Sequence, residues 1–139
     1  MRFFALASLI VLAACSTEPP ENARSGPEKE QTDSAVALLL TYAAADFGTS
    51  EAMRPSEVRN VRAGYLEEPG TTPRYILCGE FVPQSQDGTS TWTPFVTIRT
   101  APYEQFVGAQ ATSFCESPHV AWIDDSLSAE LQHRLDSLP

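Results

Sequence analysis

Basic residues are scarce in this chain: nine Lys and Arg stand against eighteen Asp and Glu over 139 residues, a net charge of −9. Lysine is reduced to Lys29, and every other cation is an arginine. So acidic a surface repels nucleic-acid phosphates and anionic headgroups, which excludes both as partners held by charge, and it keeps a small domain soluble. Histidine is rarer still, with His119 and His133 alone. A zinc site needs four ligands, typically as two closely spaced pairs, and the three cysteines include no Cys-x-x-Cys, so neither metal nor cofactor is expected. Gly-x-Ser-x-Gly, a setting for an activated serine, is missing too. Long apolar runs are also lacking. The run from Phe3 to Leu12 rises only about 15 Å as a helix, half of a bilayer core of about 30 Å, and therefore does not span a membrane.

What is there begins with that run. Met1-Arg2 supplies a positive start, Phe3 to Leu12 an apolar middle, and Leu12-Ala13-Ala14-Cys15 a close of small residues before a thiol, the pattern of a removable export signal. These residues resemble the bacterial lipoproteins, whose signals end in Leu, two small residues and an obligatory Cys. The resemblance implies a signal peptide over residues 1–14, cleavage before Cys15, a thioether-linked diacylglycerol on its sulfur and an acyl chain, such as palmitate, on its new amine. Several chains anchor durably, since each buried methylene contributes about 0.8 kcal/mol. Ser16 in place of Asp after that cysteine implies sorting to the outer membrane, so the expected location is the bacterial cell envelope, lipid-anchored and facing the periplasm. With Cys15 lipidated, Cys78 and Cys115 remain as a pair in an oxidising compartment and are expected to form a disulfide. The loop it closes (115 − 78 = 37 residues) stabilises the fold by about 4 kcal/mol in the chain-entropy account.

Residues 16–31 are Pro, Glu, Ser, Gly and charged residues, with Ala23 the sole apolar side chain, and predict a disordered tether behind Cys15. One folded domain then covers residues 32–139. Thr32 or Asp33 is expected to cap a helix with Val36, Leu39, Leu40, Ala43 and Phe47 on one face and Gly48 as a left-handed terminus. Ala35, Ala37, Leu38 and Tyr42 make its other side apolar too, so the helix should be largely covered. Alternation predicts a strand from Val58 to Leu66, and Pro69-Gly70 turns the chain into a second from Arg74 to Val82. The second is apolar on both faces and should be central. Asp87-Gly88 then turns a polar loop into a third strand from Trp92 to Thr100. Tyr103 to Val107 reads as an edge strand or a helical turn, Gly108 to Phe114 as a loop, and Pro118 to Ile123 as a short strand. Leu127, Leu131, Leu135 and Leu138 form the stripe of a terminal helix capped by Asp124, Asp125 or Ser126. The fold class that follows is α+β: an antiparallel sheet of three to five strands, packed with an N-terminal and a C-terminal helix and pinned by one disulfide.

Pro55-Ser56, Val58 to Val61, Cys78-Gly79-Glu80, Gly88, Trp92, Phe95 and Cys115, in that order, resemble a family of small uncharacterised proteobacterial exported proteins. Phe81-Val82 stands where that family carries Val-Asn. The resemblance implies the fold and the disulfide and brings no activity with it. Glu80 stands out because it shares a strand face with Cys78. Either it is solvated or paired across the sheet with Arg62 or Arg99, or it binds something. His119, near the second cysteine, and Trp92, with Tyr103 and Trp122 a possible aromatic platform, complete the candidates. Two functions fit: a non-enzymatic envelope lipoprotein that binds or scaffolds an envelope protein or glycan, and a small periplasmic hydrolase of cell-wall or lipid material with Glu80 or His119 as acid or base.

Overall fold

A computed structural model of the chain describes residues 27–84, 91–100 and 102–139. The signal, Cys15, most of the expected tether and the Asp87-Gly88 turn lie outside the described residues. Helix α1 runs over Pro27–Gly48, starting five residues ahead of the cap expected at Thr32. Proline suits a first helical position, because its φ is already helical and its missing N–H would be unpaired there anyway. At the other end Gly48 is helical, not left-handed; among the described residues only Asn60, Gly70 and Gly108 have positive φ. Asp46 closes the helix, its carbonyl accepting from the N–H and the hydroxyl of Thr49.

Five strands follow the prediction at the level of fold class: β1 (Pro55–Leu66), β2 (Arg74–Pro83), β3 (Thr93–Ile98), β4 (Glu104–Val107) and β5 (Val120–Asp124). They form one antiparallel sheet in the order β4-β3-β2-β1-β5, with the doubly apolar β2 at its centre. The segment from Tyr103 resolves as edge strand β4. The segment expected to be a loop is instead helix α2 (Ala109–Cys115), anchored by Ala111, which is fully buried, and by Phe114 stacked on Phe106 with ring centroids 5.7 Å apart. Its two turns are too few to carry a readable period, and its alanines are good helix formers. Helix α3 (Ser128–Asp136) carries the predicted stripe, with Leu127, Leu131 and Leu135 buried. Its N-cap is Leu127, one residue later than expected, while Asp124 folds back on Ser126.

Helices α1 and α3 lie on one face of the sheet. Leu39, Leu40, Ala43 and Phe47 meet Val61, Leu77, Phe81, Phe95 and Leu131 there, and the Phe47 ring sits 4.8 Å from Phe81 and 5.1 Å from Phe95. Of the four residues that suggested a largely covered α1, Ala35 is buried, whereas Ala37 is exposed and Leu38 and Tyr42 each keep 42% of their surface, so that expectation holds only in part. Where β5 does not reach along β1, α3 closes the sheet edge. Val58 N–H donates to Gln132 Oε1, Val61 N–H to Ser128 Oγ, and Leu127 N–H to the Val61 carbonyl, leaving those groups satisfied. The opposite face packs Ile76, Cys78, Val96 and Ile98 beneath α2.

Candidate functional site

Helix α2 covers only part of that second face, and the uncovered part carries most of the polar groups singled out in the sequence. A β-bulge builds it. Arg59 pairs with Glu80 and Arg62 with Cys78, so Asn60 and Val61 stand opposite the single residue Gly79. Asn60 takes φ 53°, a left-handed conformation that Asn tolerates better than most residues. The extra residue sends Val61 into the α1–α3 core and turns both arginines to the open face, whereas strict alternation would have put Arg59 on the same side as Val61.

Glu80 is held where it stands. Arg59 donates from Nε to Oε2 at 3.0 Å and from Nη2 to Oε1 at 3.3 Å, and Asn60 Nδ2 donates to Oε2 at 2.8 Å. The bond from Arg59 first, and that from Asn60 second, keep the carboxyl below its ordinary range against the opposing effect of burial. Its partner is therefore Arg59, not Arg62 or Arg99 as expected from alternation. The same Arg59 guanidinium lies 4.0 Å from the centroid of the Trp92 ring, so Glu80 and Trp92, two of the predicted site residues, meet through it.

Arg62 has a different partner. Its guanidinium sits 3.7 Å from the centroid of the Trp122 ring. Gly64 makes room for that ring: a Cβ there would come within 2.6 Å of the Ala121 carbonyl oxygen and 3.0 Å of Trp122 Cε3. Between Asn60, Arg62 and the end of α2 opens a cleft of about 620 Å³, lined by the Cys78–Cys115 disulfide, whose Cα atoms lie 6.0 Å apart. Glu116 and Asp125 stand on its rim.

His119 takes no part in this cleft. It is exposed ahead of β5, its carbonyl accepting from Glu67 N–H and its own N–H donating to Ser117 Oγ, so the Ser117–His119 proximity is a backbone turn and not a nucleophile with its base. Among the described residues no three of His, Cys, Asp and Glu gather as metal ligands, and no helix is long and apolar enough to cross a membrane. Arg59, Asn60, Glu116 and the cleft role of Arg62 escaped the sequence reading. The legible sign was an arginine falling on the core side of an otherwise regular alternation, which calls for a bulge. No family model, curated protein or solved structure matches this chain.

Proposed function

We propose that this chain is a lipid-anchored lipoprotein of the bacterial envelope, and that its folded part is a non-enzymatic binding domain using the open half of the sheet's second face. The observation that carries the reading is the state of Glu80. Both of its oxygens accept hydrogen bonds from Arg59 and Asn60, and a carboxylate held below its ordinary range is a poor proton acceptor near neutral pH. His119 stands outside the cleft, so Glu80 and His119, the two residues expected to serve the hydrolase alternative, do not meet there. Two arginines stacked on two tryptophans offer instead flat, amphipathic surface of the kind that recurs at binding sites. Twelve residue steps (27 − 15 = 12) lead from Cys15 to the start of α1, a reach of at most about 43 Å, so the anchor holds that end of the helix within this distance of the membrane.

Two measurements test the reading. Mass spectrometry of the full chain purified from bacterial membranes should find residues 1–14 removed and Cys15 triply acylated; an unmodified Cys15 removes the anchor. A photo-crosslinking residue in place of Trp122 should capture an envelope component that the same residue at His119 does not. Equal capture at both positions would remove the binding face.

A further inference from the structure

The charges around the cleft do not cancel one another, and their arrangement specifies a ligand. Arg59 and Glu80 neutralise each other. Arg62 has no carboxylate within ion-pair distance among the described residues, although it lines the cleft with Glu116 and Asp125. Neither of those two side chains has a hydrogen-bond or ion-pair partner among the described residues, and both are exposed. Three elements hold the three charges apart: Arg62 on β1, Glu116 just past α2, Asp125 just past β5. Nor is the guanidinium idle in orientation. Stacking on Trp122 occupies its flat face and leaves its in-plane N–H groups free, the fork that takes a carboxylate with two parallel bonds.

Resting on the reading of this face as a binding surface, we propose that the cleft takes a small zwitterion of the amino-acid or short-peptide class, its carboxylate on Arg62 and its ammonium between Glu116 and Asp125. A purely anionic ligand would meet two carboxylates on a chain of net charge −9. A purely cationic one would leave Arg62 unpaired and repelling it. A molecule with both charges a few bonds apart satisfies all three groups. The volume of about 620 Å³ falls within the range of small-molecule sites, about 300–1,000 Å³.

The test uses the full lipidated chain in detergent with Trp92→Phe, so that fluorescence reports Trp122 alone. The probes are L-alanyl-L-alanine, its N-acetyl form, which lacks the ammonium, and its C-terminal amide, which lacks the carboxylate. Free dialanine should change Trp122 emission saturably, and each blocked form should bind at least about tenfold more weakly, the loss expected when one charge-assisted contact goes. Arg62→Gln should abolish the response to dialanine without lowering the melting temperature. Glu116→Gln with Asp125→Asn should erase the discrimination between free and acetylated dipeptide while keeping that against the amide. Equal binding of all three probes, or no saturable response to dialanine, overturns the proposal. If crosslinking from position 122 still captures an envelope component in that case, the binding face stands and the ligand class falls.

Discussion

On one side of the sheet two helices, α1 and α3, bury a continuous apolar layer that includes three phenylalanines. On the other, α2 has seven residues, of which Ala111 alone is fully buried, and leaves part of the face open. A helix that short does not hold together in water without help. The disulfide from Cys115, the last residue of α2, to Cys78 on the central strand supplies that help. The difference teaches where stability and recognition reside. Packing alone holds the first face, whereas on the second a covalent bond reinforces a smaller apolar cluster, so that part of that face can stay open and polar.

That contrast can be broken most directly at the bond. Cys78→Ser with Cys115→Ser frees a loop of 37 residues and should cost about 4 kcal/mol in urea unfolding. The loss should be uneven: hydrogen exchange in α2 should rise far more than in α1, which keeps its packing. Equal loosening of both helices would mean that the disulfide serves the whole core alike. A smaller effect comes from the packed face. A Cβ on Gly79 would lie 2.7 Å and 2.9 Å from two atoms of the Phe95 ring and 3.0 Å from Val61 Cγ2, and Phe95 is fully buried. Gly79→Ala should therefore destabilise by about 1–3 kcal/mol, since the ring has nowhere to move. An unchanged unfolding midpoint would show that the Phe47–Phe81–Phe95 cluster is less tightly filled than its geometry indicates.

The two faces also differ in how far the sequence reveals them. The packed face was legible because it is written in periods: Val36 to Phe47 at helical spacing, Leu127 to Leu138 likewise, and β2 apolar on both sides. The open face depends on events that carry no period. The bulge at Asn60 occupies one residue, and it decides that Glu80 meets Arg59 and not Arg62. Helix α2 makes two turns, and β5 finds its place beside β1 only after the chain has crossed from the β4 edge to the other side of the sheet. The disulfide was legible by count, whereas the cleft above it needed Gly64, Trp122 and Glu116 to be brought together from three separate elements.

The finest comparison uses one carboxylate from each side. Asp46 sits in the last turn of α1, where burial raises its pKa above the ordinary 3.8, and where the exposed carbonyls of a helix end repel an anion. Glu80, on the open face, is shifted the other way, below its ordinary 4.5, by its bonds from Arg59 and Asn60. The signs of their effects on stability are opposite. A raised pKa means that the folded state takes up the proton first, so the penalty from charged Asp46 is whole at neutral pH and fades as pH falls through the raised value toward 3.8. A lowered one means that the benefit from Glu80 is whole above 4.5 and is lost as pH drops below it through the folded value. At pH 7 Asp46→Asn should raise the unfolding free energy by about 0.5 kcal/mol, or roughly 2–4 °C. Glu80→Gln should lower it by at most about 1 kcal/mol, because the ion pair is partly exposed and screened. Melting curves of both variants and the parent from pH 7 down to about pH 3 should show two differences of opposite sign that both shrink in acid. If the Glu80→Gln difference persists unchanged below its ordinary range, the carboxylate is not charged in the folded protein, and the open face loses the ion pair on which its division into a neutral and a charged half depends.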